Sequence, residues 1–188
     1  MVCLNMTITQ FLMFFESVCE RLEMESASLR CLTGDEHCFT TLFKNCRTTQ
    51  LLISTFNIGY APAVYLFKMM SLTFSVMCGY LGIRYFSKIG IAIYLLAISV
   101  YMMFYYVATF GRAFYIPERM ESFKIELLRT AQLSQAKRSV VKHLEKQVAS
   151  VPNVGIKVGT FHTMKRESTP IFIDFVVKTI ASLLIMYR

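Results

Sequence analysis

The sequence predicts an all-α fold, a polytopic helical membrane protein with about three transmembrane helices and amphipathic helices on the cytoplasmic side. Apolar residues make up 55% of the 188 and charged residues only 17%, below the quarter or so usual in a soluble domain. Uncharged runs such as 89–111 are long enough to cross a hydrocarbon core, and a soluble fold has no surface on which to hide them. The net charge of +8 is carried between apolar segments rather than in one patch interleaved with aromatics, which argues against nucleic acid. Four regions follow: a cytoplasmic amphipathic region over 1–50, a transmembrane hairpin over 51–111, a cytoplasmic amphipathic helix and link over 112–168, and a final transmembrane helix over 169–188.

Over 16–50, Glu20, Arg21, Glu23, Glu25 and Arg30 punctuate Val18, Leu22, Leu29 and Leu32 at loosely helical spacing. A water-exposed helix pair is expected, with the glutamates on its solvated face and a break at Thr33-Gly34-Asp35. Phe39, Leu42, Phe43 and Cys46 begin the second stripe, which leads toward the membrane. The apolar stretch at 7–15 is short, lacks a basic flank and meets Glu16, so it does not read as a secretory signal, and insertion is expected through the internal helices.

Between 51 and 83 the one formal charge is Lys68. Split there, each half falls short of the roughly 20 residues a span needs, so one long helix is preferred, with its start in water and a bend at Pro62. Arg84-Tyr85-Phe86-Ser87-Lys88 makes a short polar turn, and 89–111 is the clearest span.

After Arg112 the pattern becomes amphipathic. Met120, Phe123, Leu127 and Ala131, then Val140, Leu144, Val148 and Val151, recur at helical spacing, with Lys137, Arg138, Lys142 and Lys146 on the polar side up to Pro152-Asn153. A glycine-broken link follows, and Thr169-Pro170 reads as the N-cap and first residue of the last helix. Arg112, Arg119, Lys124, Arg129, Lys157, Lys165 and Arg166 join the cluster between the last two spans, so the positive-inside rule puts that region in the cytoplasm. The N-terminus is then cytoplasmic and the C-terminus extracellular, in a multi-pass protein of the cell membrane, and the Asn5-Met6-Thr7 sequon is discounted.

Few residues carry chemistry. No nucleophile with its base, phosphate-cradling loop or acid and base pair is present, so an enzyme is not expected. The six cysteines, Cys3, Cys19, Cys31, Cys38, Cys46 and Cys78, lack zinc-knuckle spacing even with His37 beside Cys38; free thiols are expected, with no metal and no cofactor. Asp174 and Lys178 share one face of the final helix, an expensive pair in hydrocarbon unless it faces protein or water. Snorkelling of Lys178 with local neutralisation is the plainer alternative. Tyr94, Tyr101 and Tyr105, with neighbouring Met and Phe, would suit a small-molecule pocket, or else ordinary aromatic packing.

The run Val158-Gly159-Thr160-Phe161-His162-Thr163-Met164, followed by Thr179-Ile180-Ala181-Ser182-Leu183-Leu184-Ile185-Met186-Tyr187, resembles the closing region of arthropod gustatory and odorant receptors. Gly159, Phe161, Thr179 and Tyr187 match that pattern, whereas Ile180 stands where it has tyrosine and Met186 where it has glutamine. The order of a long apolar hairpin, an amphipathic helix and a short final span is also similar to the C-terminal half of those seven-helix receptors. The resemblance implies a ligand-gated cation channel, a homo- or hetero-tetramer with related subunits, embedded in the lipid bilayer and opened by a small-molecule ligand. It implies pore-lining roles for Leu183, Met186 and Tyr187, with the narrow part at Leu183 and the Asp174 and Lys178 charges at the pore entrance. A truncated form or fragment of such a chemosensory subunit is the leading expectation. The alternative is a non-channel membrane adaptor or assembly protein acting through its basic amphipathic helix.

Overall fold

A computed structural model describes residues 2–30, 36–133, 138–152, 154–159 and 162–187. The elements in order are α1 (Val2–Arg30), α2 (Glu36–Arg84), α3 (Ile89–Phe110), a 3₁₀ turn (Ala113–Tyr115), α4 (Ile116–Leu133), α5 (Arg138–Ser150), β1 (Lys157–Val158), β2 (His162–Thr163) and α6 (Ser168–Met186). The fold is all-α apart from that small hairpin. Three of these helices contain segments long and apolar enough to cross a bilayer: Phe39–Arg84, Ile89–Phe110 and Ser168–Met186.

The first region differs from the expected exposed pair. α1 is one helix of 29 residues that starts well before Glu16. Its buried residues Phe11, Phe15, Val18, Leu22 and Leu29 step by three, four or seven, so one stripe faces the core. Glu25 falls on that stripe and is buried with it, rather than on the solvated face with Glu20 and Glu23. The expected break at Thr33-Gly34-Asp35 lies outside the described residues, as do Cys31, Lys137, Asn153 and Phe161.

α2 is a single helix of 49 residues, about 73 Å long, that runs through both Pro62 and Lys68. Its halves have different neighbours. The first packs antiparallel to α1 through a cluster in which Phe14 stacks on Phe56 at 4.1 Å and Phe11 meets Phe56 and Tyr60 edge-on. The second forms an antiparallel hairpin with α3, fastened by Ser99, whose hydroxyl donates to the Ser75 carbonyl at 2.7 Å.

The stretch read as one amphipathic helix is instead two. Gln132 of α4 reaches Glu145 of α5 at 3.3 Å, and Lys124 of α4 donates to the Val151 carbonyl just beyond α5, so α5 folds back antiparallel on α4. The sequence accords with the reversal: after Ala131 the next positions of a continuous stripe, 134 and 135, are Ser and Gln rather than apolar residues. Ion pairs Glu16–Arg112 at 3.0 Å and Glu23–Arg119 hold the start of α4 alongside α1. The result is a bundle of α1, the first half of α2, α4 and α5, at the end of the molecule away from the Arg84–Lys88 turn.

The link to the last helix carries structure that periodicity did not reveal. β1 and β2 pair antiparallel, Lys157 opposite Thr163 and Val158 opposite His162. Gly159 takes the positive φ of 60° that the turn requires and donates its N–H to the Ala61 carbonyl at 3.0 Å. Buried Asn57 clamps the same hairpin, donating to the Gly155 carbonyl at 2.9 Å and accepting from the Lys157 N–H at 2.8 Å.

Candidate functional site

α6 begins at Ser168, slightly before the expected Thr169-Pro170 pair. Pro170 lies within its first turn, where the missing N–H costs no helical hydrogen bond. The Ser168 hydroxyl accepts from the Lys165 N–H at 3.0 Å and steadies this start. Phe172 and Val176 are buried, Ile180 and Leu183 half-buried, and all four lie on one side of the helix. That side packs along α2, in the same direction: Lys68 lies beside Ser168 and Phe172, Gly79 beside Ile180, and Tyr80 beside Tyr187. The Arg84 guanidinium donates to the Tyr187 carbonyl at 3.4 Å and closes the C-terminal end of this contact.

At Gly79 the three apolar helices meet. A Cβ there would meet Ile180 Cδ1 at 2.5 Å and Ser99 Oγ at 3.1 Å. Further down, Tyr106 of α3 stacks on Phe172 at 4.3 Å and is fully buried. Tyr106, Gly79 and Phe172 therefore position α6. A glycine in a long apolar run and an aromatic in the middle of a span were the only sequence signals for them.

The opposite side of α6 faces away from the rest of the chain. Asp174 and Lys178 form an ion pair at 2.8 Å, with 59% and 75% of their side chains exposed. At about 100° per residue, Leu183 lies about 140° around the helix from Lys178 and opposite Asp174. The structure thus brings the two charges together and separates them from Leu183. Ile185, 80% exposed, shares the charged side, Met186 lies at its margin, and Tyr187 turns back toward Tyr80.

Tyr94, Tyr101 and Tyr105 fall on one stripe of α3, as their spacing requires, and Tyr101 and Tyr105 stack at 5.9 Å. Tyr94 and Tyr101 point outward, 67% and 64% exposed, while Tyr105 leans on Phe67. A larger cleft lies elsewhere. It has a volume of about 920 Å3 and lies between α2 and the hairpin link, lined by residues including Ser54, Pro62, Tyr65, Val154 and Lys157.

Among the residues with described side chains, Cys19, Cys46 and Cys78 are free thiols, and no group of three His, Cys, Asp or Glu residues is placed to hold a metal. Burial pushes the Cys19 thiol up despite Arg119 and Arg112 nearby.

Fold and site together define an all-α helical membrane protein whose last apolar helix carries an ion pair on its outward side. Comparison with protein families, with curated proteins and with solved structures finds no match.

Proposed function

We propose that this chain is a subunit of a ligand-gated cation channel of the arthropod gustatory and odorant receptor type, acting in chemosensory detection. The observation that carries the reading is the outward ion pair of α6. Lys178 lies about 15 Å along a helix of about 28 Å, near its middle, where lipid is the costliest neighbour for a charge. A helix that turns a charged side away from its own hairpin is suited to a lumen shared with related subunits, and a tetramer supplies one.

The basic residues of α4, α5 and the link gather at the same end as α1, which by the positive-inside rule supports a cytoplasmic N-terminus and an extracellular C-terminus. A small-molecule ligand would act on the outer half of the apolar helices, where the stripe of Tyr94 and Tyr101 is open to partners.

A second reading has its own observation. α5 presents Lys142 and Lys146 to solvent opposite buried Leu144 and Val148, a surface suited to an acidic partner of an adaptor protein. Recording from cells that express the chain with a related subunit separates the two. The channel reading expects ligand-evoked cation current that Ile185→Ala alters; the adaptor reading expects no current and a loss of partner binding in Lys142→Glu/Lys146→Glu.

A further inference from the structure

We infer that the seam where α2, α3 and α6 meet binds an internal water molecule, held by the hydroxyls of Ser71, Ser75 and Tyr106. The inference stands apart from the channel reading and concerns how the last helix is seated on its hairpin.

All three side chains are buried: Ser71 is 1% exposed, Ser75 and Tyr106 not at all. Among the described residues, none gives the Ser71, Ser75 or Tyr106 hydroxyl a hydrogen-bond partner. Other hydroxyls on the apolar helices are satisfied by the carbonyl one turn back, as Thr109 is by Tyr105 at 2.8 Å, Thr179 by Phe175 at 2.7 Å and Ser182 by Lys178 at 2.8 Å. Ser71 and Ser75 do not take that route, and the ring of Tyr106 carries its hydroxyl out of reach of it. Three unbonded hydroxyls in one apolar seam are costly, and a shared water removes the cost.

The contacts around the seam bring the three groups to one place. Ser71 and Ser75, four residues apart, share the side of α2 that faces α3, where the Ser99 hydroxyl donates to the Ser75 carbonyl. Tyr106 lies two turns from Ser99 on the same side of α3. Gly79 fixes the level, because a Cβ on it would meet both Ser99 and Ile180. Eight residues before Gly79 is Ser71, and eight before Ile180 is Phe172, each about 12 Å down a pair of parallel helices. Phe172 stacks on Tyr106 at 4.3 Å, so Ser71, Tyr106 and Phe172 share one layer. Side chains four residues apart on a helix start about 5–6 Å from one another, roughly twice the length of a hydrogen bond between hydroxyl oxygens. A water midway between Ser71 and Ser75 therefore bonds to both, and Tyr106, entering from α3, supplies the third bond usual for a buried water. Phe172 and Val176, both buried, cover the site from α6.

The test uses the full chain in lipid nanodiscs, exposed briefly to X-rays that turn water into hydroxyl radicals, with ring oxidation read residue by residue by mass spectrometry. A ring beside a bound water is oxidised however deeply it is buried. Tyr106 and Phe172 are expected to oxidise severalfold faster than Phe15, a fully buried ring of the helical bundle. In Ser71→Ala/Ser75→Ala, which removes two of the three partners and little volume, both rates are expected to fall toward that of Phe15. Tyr106→Phe keeps the ring stacked on Phe172 and removes one oxygen; it is expected to melt below wild type, and to lose less when Ser71 is already alanine. Rates at Tyr106 and Phe172 no faster than at Phe15 overturn the water site, and rates that the serine substitutions leave unchanged overturn the assignment of its partners. Removing a hydroxyl with no partner leaves a chain at least as stable, so a Tyr106→Phe chain that melts at or above wild type overturns the role of that hydroxyl. Additive losses in Ser71→Ala/Tyr106→Phe overturn the sharing of one water.

Discussion

The Cδ1 atom of Ile180 lies 2.5 Å from the point where a Cβ on Gly79 would sit, so α6 rests on α2 at a position open only to glycine without rearrangement. Alanine there meets the end of a flexible side chain, which can move aside. Ser99 Oγ also lies 3.1 Å from that Cβ, and leucine adds three more carbons at the same crowded point. Gly79→Leu is expected to destabilise the α2–α6 contact by about 1–3 kcal/mol, the usual cost of overpacking. Thermal melting in detergent measures it, and Ile180→Ala added to the same chain is expected to recover much of the loss.

Asn57 offers a second test, because both ends of its buried amide are used. Asn57→Leu leaves the Gly155 carbonyl and the Lys157 N–H without that partner and is expected to cost about 1–3 kcal/mol. Hydrogen exchange at residues 155–159 is expected to rise well above that of α3, since the hairpin would retain mainly the Gly159 bond to Ala61 on α2.

These two residues mark what the sequence could and could not convey. The hairpin of apolar helices, the unbroken α2 and the i,i+4 pair of Asp174 and Lys178 follow from periodicity and length, and the structure has all of them. The side of α6 that packs was not legible, because apolar residues such as Ile171, Phe175, Val177 and Leu183 surround the helix and no stripe stands out. Positions carried over from a resemblance assign Leu183 and the two charges to one pore; on α6 they lie on different sides of the helix. Glu25 was legible in principle: it continues the series 11, 15, 18, 22 and 29, but its charge suggested solvent. The fold-back of α5 depended on tertiary burial of two stripes, which a local pattern does not specify.

Glu25 makes the pH dependence testable. Burial pushes its carboxyl above the usual carboxylate range, and Arg21, at 3.3 Å, only partly offsets this. The folded state then holds the proton more tightly than the unfolded chain does. Stability from this group is present below the ordinary carboxylate value and is lost as pH rises through the raised folded value. Glu25→Gln is expected to melt above wild type at neutral pH, with the gap closing on acidification, as followed by melting curves across that range.

Lys124 carries the complementary effect in α4. Burial lowers its ammonium, which donates to the Val151 carbonyl beyond α5. Lys124→Met removes a charge that burial disfavours but also one hydrogen bond to that carbonyl. The expected net change in stability is small, within about 1–2 kcal/mol. Protease sensitivity around residues 150–152 is nevertheless expected to increase, because the end of α5 loses its tie to α4.

The reversal potential of the ligand-evoked current tests the channel reading most directly, recorded with the chain assembled among related subunits. With Asp174→Asn the lumen keeps Lys178 unneutralised, and the reversal potential is expected to move toward that of the anion. With Lys178→Gln it keeps Asp174 and is expected to move the other way, each through a severalfold change in relative permeability. Opposite shifts in the two variants are the predicted result; a wild-type assembly that reaches the membrane and passes no current, or a reversal potential that neither substitution moves, would contradict the account.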